Sequence, residues 1–354
     1  VSMKVAPAPE AFTADALQRW VAAVLATQGM DAAAATVGAK VMVRTSLRGI
    51  DTHGVSRLPG YVDRLASGEI NPRAAPRFEN HHGLLRCDGD GGLGQLVATA
   101  AIDRAMAQAR STAVVPCGIV HAGHLAALGT FVLTAAESGF FALLCQRTPP
   151  IMAMPGSRGP VIGNNPIAFA VPVPGQAPLV FDMAHSVVAR GHVMQAQREG
   201  AQTIPGDWAL GPDGRPTTDP ALALKGAMQP MAGHKGLGLA MLVECLAGSL
   251  NGVIADPPGQ ATASLQGSAA DVSAFLIVIN PALAIGQDAF DVSIGAWMQA
   301  FRDGSGPGSR YPGQRQASCE AQRLADGIPI PAGLRAELRQ LGARVGHPFD
   351  LLPL

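Results

Sequence analysis

Charge is scarce in this 354-residue chain: 15% of residues are Asp, Glu, Lys or Arg, and 26 basic residues balance 26 acidic ones. A nucleic-acid partner or a polyanionic partner is therefore not expected, since either calls for an excess of basic charge on one face. The five cysteines are widely spaced and contain no Cys-x-x-Cys pair, which argues against a disulfide framework. No uncharged apolar run reaches the roughly 18 to 20 residues needed to span a bilayer. The first residues also lack the basic and apolar regions of a signal peptide. There is no His-x-x-x-His, no carboxylate spacing typical of metal ligands and no Gly-Lys-Ser/Thr, so no metal site is expected and the P-loop reading fails. Internal repeats and heptads are absent too. These absences leave a cytoplasmic protein with reduced thiols that works on small molecules, with no nucleic acid and no membrane as partner.

Hydrophobic residues reach 48%. So little charge beside so much apolar surface points to a buried subunit interface, hence a homo-oligomer. The length suits two domains, or one large domain with a subsidiary lobe.

One stretch mixes residue types that a core does not need: Arg44-Thr45-Ser46-Leu47-Arg48-Gly49-Ile50-Asp51-Thr52-His53-Gly54-Val55-Ser56-Arg57-Leu58-Pro59. Asp31 caps a helix whose apolar face carries Val37, Val41 and Leu47, and Gly49 stops it. If residues 54–58 turn helically before Pro59, His53 and Arg57 project from one face. An imidazole that exchanges a proton near neutral pH, beside a guanidinium fork that suits a carboxylate, fits redox chemistry on a small 2-oxo acid. A histidine in a turn is more often a hydrogen-bonded structural group. Against that stand Arg57, costly to bury without an anion, and the rigid turn at Pro59 and Gly60.

Around this stretch the first 70 residues read as a helical lobe. Thr13 caps a helix with Leu17, Trp20, Val21, Val24 and Leu25 on one stripe, Gly29 ends it, and a later helix over 60–66 carries Tyr61 and Leu65. Residues 1–10 read as a loose arm, and Pro72 and Pro76 mark the edge of the lobe. Beyond it come strands over 83–88, 113–120, 140–146, 167–173, 179–183 and 273–279. Helices are read over 95–110, from the 121–129 segment to about 137, and over 184–197, 239–247, 290–301 and 332–341. The turn-rich passage 201–220 reads as a loop over a site or interface, and 252–272 as mobile.

Residues 89–94 spell G-x-G-x-x-G, but a dinucleotide fingerprint also needs an acid at the end of the next strand. That strand ends in His121, and Asp88 and Asp90 would repel a pyrophosphate, so a generic glycine turn is the reading. The segment from His121 to Gly129 is expected to open a helix with His124 in its first turn, where backbone N–H groups suit phosphate. Lys235, between Gly233 and Gly236 at another helix start, is a good anion holder.

Together with Gly-His-Lys-Gly at 233–236 and Gly-Asn-Asn-Pro-Ile-Ala-Phe at 163–169, the 44–59 stretch resembles the malate/L-lactate dehydrogenase family of the non-Rossmann type. That family includes ureidoglycolate dehydrogenase, sulfolactate dehydrogenase, diketogulonate reductase and Δ1-piperideine-2-carboxylate reductase. The similarity runs from about Phe12 to Arg315. It implies an α/β mixed-sheet, sulfolactate-dehydrogenase-like fold, with a helical lobe from 1–75 plus 285–354 and a cofactor-binding sheet domain over 76–284. It also implies a homodimer with the cleft between domains.

The activity implied is hydride transfer between NAD(P) and C2 of a small 2-hydroxy or 2-oxo acid. The alternatives are a cyclic imino acid reductase and a homologue that binds ligand without turnover. In the imine-reductase branch, the position matching His53 is the proton donor, the one matching Thr52 assists it and the one matching Arg57 holds the carboxylate. Arg48 is the second choice for that carboxylate. Ureidoglycolate dehydrogenases use the histidine matching His124 instead. Asn164 matches a substrate contact. Matching cofactor contacts are His124, Leu125, Ala126, Ala127, Leu128, Thr148, Asp182, Met183, Ala184, His234, Lys235, Pro312, Gly313, Gln314 and Arg315. His192 stands where the imine reductases carry an aspartate, the feature that most favours loss of turnover. NAD is the expected cofactor. Arg315 beside a neutral Gln314 tolerates a 2′-phosphate, which keeps NADP as the alternative.

Overall fold

The computed structural model describes residues 9–254, 272–306 and 308–354. The helices Ala14–Thr27 and Ala32–Leu47 start where their caps predict: Thr13 Oγ1 accepts from the Ala16 N–H and Asp31 Oδ1 from the Ala34 N–H. In the first helix the whole predicted stripe is buried. In the second, the buried face runs through Ala34, Ala35, Gly38, Ala39, Met42 and Val43 to Thr45, Ser46 and Leu47, so Leu47 is buried as expected while Val37 and Val41 lie at its margin. Small residues there let the helices approach closely.

This pair forms one core with residues from the far end of the chain. Phe12 packs with Ile328, Ile330, Leu338, Leu341 and Phe349, and the Trp20 indole N–H donates to the Pro348 carbonyl at 3.0 Å. Residues 1–8 of the expected loose arm lie outside the described residues. Its end differs from expectation, because Glu10–Phe12 pairs antiparallel with Ile328–Ile330.

The second core lies on a seven-stranded mixed sheet. In spatial order its strands are Arg77–His81, Leu84–Asp88, Val114–Val120, Ala274–Ile279, Phe141–Gln146, Ile167–Val171 and Leu179–Met183. Only the pairing of Leu84–Asp88 with Val114–Val120 is parallel. Helices Gly94–Ala109 and Leu128–Glu137 cover this core, burying Val97, Ala101 and Ala105 from one and Phe131 and Val132 from the other. The sheet is thus mixed and not a doubly wound parallel one, as the fold class anticipated.

Three segments depart from the sequence reading. The helix Gln287–Gly304 does not join the terminal lobe: Met298, with Tyr311 beyond it, packs on Val173 and Leu179 of the sheet domain. The helix expected over 184–197 forms only at Arg190–Arg198, and the one expected from 239 begins at His234 and ends in a π turn at Glu244–Gly248. The passage read as mobile lies, from 255 to 271, outside the described residues. Among the described residues no helix is long and apolar enough to cross a membrane.

Candidate active site

The 44–59 stretch leaves its helix at Arg48 and turns at Gly49, whose φ of 74° a side chain would strain. Two separate single 3₁₀ turns follow, Asp51–His53 and Val55–Arg57, with Gly54 between them. A Cβ on Gly54 would come 2.1 Å from Ser46 Oγ, the atom that accepts from the Val55 N–H at 3.0 Å. The expected continuous helical turn is therefore broken. His53 and Arg57 are still held near each other through Thr52, whose carbonyl accepts from the Arg57 Nε–H at 2.7 Å. The Thr52 hydroxyl lies 2.9 Å from His53 Nδ1. Burial, then the Arg57 charge, push the His53 imidazole down to about 4.

The other arginines of this region are taken. Arg44 is paired with Glu137 and Glu320, Arg48 with Glu320 at 2.6 Å, Arg64 with Glu69 at 3.1 Å and Arg323 with Asp51 at 2.6 Å. Arg48 is buried in its pair, which removes it as a second substrate clamp. Arg57 has no ion pair among the described residues.

His124 faces His53, their ring centroids 6.2 Å apart. It does not lie in a helical first turn. His121, Gly123 and Ala126 all have positive φ, so 121–127 is an irregular loop and the helix starts at Leu128. Nor is that helix start open to phosphate at Gly129, whose N–H donates to Asp182 Oδ2 at 2.7 Å.

The 89–94 glycines now have a physical reason. A Cβ on Gly89 would meet the His121 carbonyl at 2.6 Å, and one on Gly94 the His124 carbonyl at 2.2 Å. The G-x-G-x-x-G turn is the seat of the His124 loop. Gly94→Ala should cost about 1–3 kcal/mol by overpacking, read as a lowered denaturation midpoint. Gly333→Ala, in open space, should cost nothing measurable.

Behind the ring, His124 Nδ1 lies 3.1 Å from the Tyr61 hydroxyl, which accepts from Gln95 Nε2 at 3.0 Å. The sequence reading placed Tyr61 only as a helix-stripe residue and gave Gln95 no role. The one signal for Tyr61 was its place four residues after Arg57. Burial first, then His53, Arg57 and Arg64, lower the His124 imidazole to about 3.

Its folded pKa lies below the unfolded one, so the folded state binds fewer protons as pH falls from about 6.5 toward 3. Wild type should therefore lose stability relative to His124→Gln across that window, by at most about 1.4 kcal/mol per pH unit. Thermal melts of both proteins at matched pH values check this.

The expected cofactor segments are hydrogen-bonded to one another. Gln146 holds the His124 loop, accepting from the Leu125 N–H and donating to the Gly123 carbonyl. Two residues on, the Thr148 hydroxyl donates to Asn164 Oδ1 at 2.8 Å. The His185 N–H donates to the Asn164 carbonyl, and the Met231 N–H to the His185 carbonyl, which ties in the 233–235 helix start. The 312–315 turn docks on the strand that ends in Asp182 and Met183, with the Val180 N–H donating to the Pro312 carbonyl at 3.0 Å. Gly313 has φ 95°, and a Cβ there would sit 2.8 Å from Val180 N.

Lys235 and Arg315 are exposed and have no ion pair among the described residues. Beside Thr148 and Gly163 opens a cavity of about 570 Å³ whose other walls are residues such as Met154, Leu237 and Met241, and whose lining includes neither His53, Arg57 nor His124. Desolvation raises the Asp182 carboxyl to about 6 despite the Gly129 N–H. His192 is exposed and contacts Trp208, with ring centroids 6.5 Å apart. Among the described residues no group of three His, Cys, Asp or Glu could hold a metal.

The chain is similar to proteins of known class. Residues 12–339 match the family model described as malate/L-lactate dehydrogenase. The chain is 33% identical over 319 residues to a Δ1-pyrroline-2-carboxylate reductase of Burkholderia ambifaria, covering 90% of this chain and 93% of that one. It is 34% identical over 317 residues to a (2R)-3-sulfolactate dehydrogenase (NADP+) of Chromohalobacter salexigens, with 90% and 93% covered. The solved sulfolactate dehydrogenase of Methanocaldococcus jannaschii superposes with a TM-score of 0.85 at 28% identity, covering 96% and 98%. The chain belongs to the malate/L-lactate dehydrogenase family and is an NAD(P)-dependent oxidoreductase.

Proposed function

We propose that the protein transfers a hydride between NAD(P) and C2 of a small acid bearing one carboxylate, a 2-hydroxy acid and its 2-oxo partner. The observation that carries this is Arg57. It lacks a carboxylate partner among the described residues, beside two imidazoles, while Arg44, Arg48, Arg64 and Arg323 are each neutralised. The bound nicotinamide supplies or receives the hydride. Arg57 holds the carboxylate by two parallel N–H bonds, His53 with Thr52 behind it exchanges the proton on the C2 heteroatom, and Asn164 borders the substrate.

A second reading, reduction of a cyclic 2-imino acid, is supported by the reductase relative and by the low pKa of both imidazoles. An imine already protonated in water brings its own proton, so it asks less of a neutral histidine. Steady-state rates with NADH and NADPH over pyruvate-type acids, cyclic imino acids, oxaloacetate and sulfopyruvate test both readings. Turnover of single-carboxylate acids is the supporting result. A preference for the acids with a second anion would overturn the single-carboxylate assignment.

For the dinucleotide, Lys235 and Arg315 are the candidate phosphate partners, with His234 and the 124–128 and 182–184 backbone lining the groove. The neutral Gln314 leaves Arg315 free for a 2′-phosphate, which favours NADPH over the NAD expected from sequence. Gln314→Glu should then shift the kcat/KM ratio toward NADH by about tenfold, as an acid accepts the ribose hydroxyl and repels the phosphate. Leu239, Met241 and Leu242 on one helix, and Val292, Trp297 and Phe301 on another, are exposed. They support a homodimer, which light scattering would report as twice the chain mass.

A further inference from the structure

We propose that Tyr61 and Gln95 are positioning residues that hold His124 as one tautomer, with Nδ1 accepting from the Tyr61 hydroxyl and Nε2 carrying the ring proton. The inference rests on the functional reading above for its catalytic meaning, though not for its geometry. Gln95 is fully buried, and an amide nitrogen can only donate, so the Tyr61 oxygen accepts from it. The hydroxyl's own proton is then left for the one remaining neighbour, His124 Nδ1. A neutral imidazole that accepts at one nitrogen carries its proton on the other. His124 Nε2 has no hydrogen-bond partner among the described residues and is the nitrogen left for a substrate heteroatom.

The chain of three groups lies where apolar side chains would pack at less cost. Tyr61 is 4% exposed and Gln95 0%, and a buried amide or hydroxyl is a liability unless it is bonded. Gln95 Oε1 has no partner among the described residues, so the amide accepts a cost its nitrogen alone does not recover. The titratable and charged groups facing the ring are Tyr61, His53, Arg57 and Arg64; the two arginines, and His53 when protonated, oppose a positive charge on it. The Gly94 contact fixes the His124 backbone while Tyr61 fixes its ring.

The test is ¹⁵N NMR of the full chain labelled at histidine, with the His124 signals assigned by their loss in His124→Gln. Wild type should show Nδ1 unprotonated and Nε2 protonated. Tyr61→Phe and Gln95→Leu, each accepted as folded by its melting curve, should show a mixture of tautomers. Tyr61→Phe should also lower kcat about tenfold with cofactor affinity unchanged. The hydroxyl stabilises the neutral ring, so its loss should move the His124 limb of the pH profile upward.

A ring proton on Nδ1 in wild type, or a limb that moves downward, overturns the proposal. So does a tautomer unaffected in both variants; Gln95→Leu carries this test alone if Tyr61→Phe does not fold. Absence of turnover by wild type on every acid would overturn the functional reading and leave the NMR result standing.

Discussion

Turnover falls about 10²–10⁴-fold in His53→Ala, the range expected when a positioned general acid or base is removed. Binding of NADPH, followed by fluorescence titration, stays at the wild-type value, because the side chain bonds the Thr52 hydroxyl and His53 is not among the residues assigned to the dinucleotide. The comparison that gives this result its meaning is His124→Ala. Two imidazoles border one space, and the Thr52 partner of His53 is exposed whereas the Tyr61 partner of His124 is buried. If His53→Ala keeps full activity and His124→Ala loses it, the proton exchange moves to His124.

The pH profile adds a second criterion. Arg57 lowers the His53 pKa in the free protein. A substrate carboxylate on the guanidinium cancels that field, so the ring binds its proton more readily in the complex than in the free enzyme.

Arg57→Ala lowers kcat/KM for the acid by about 100- to 1,000-fold. Two hydrogen bonds to a charged group contribute roughly 1.5–3 kcal/mol each, and water recovers part of the loss. Arg57→Lys restores the charge without the fork and recovers only a fraction. Both variants should leave cofactor binding alone. In both, the remaining or absent charge can be read from the His53 limb of kcat/KM against pH: Arg57→Ala moves it upward from about 4. An unchanged KM, or equal losses for substrate and cofactor, would remove Arg57 from the carboxylate site.

The sequence was most readable where apolar spacing governs the structure. The stripe from Leu17 to Leu25 and the strand Phe141–Gln146 both bury what their patterns require. The helix Gln314–Asp326 was missed for the opposite reason. It has no buried residue, and it attaches through Glu320 to Arg44 and Arg48 and through Arg323 to Asp51, contacts that leave no periodicity. The edge strand Arg77–His81 is exposed along most of its length and shows no alternation for the same reason.

Within the site, His53 and Arg57 were legible because their residue types are conspicuous in a turn. Gln95 was not, since nothing local marks a glutamine whose partner lies 34 residues away. Arg48 looked like a clamp until Glu320, 272 positions later, accounted for its charge.

That last separation has a bearing on how the protein comes to be active. The segment bearing His53 and Arg57 leaves the ribosome long before the residues that brace it from behind, Glu320 and Arg323, have been synthesised. Contacts of such long range form slowly and late. Until Glu320 and Arg323 are in place, Arg44 lacks one of its two partners and Arg48 and Asp51 lack theirs, so the backing of the 44–59 stretch is completed only by the far end of the chain.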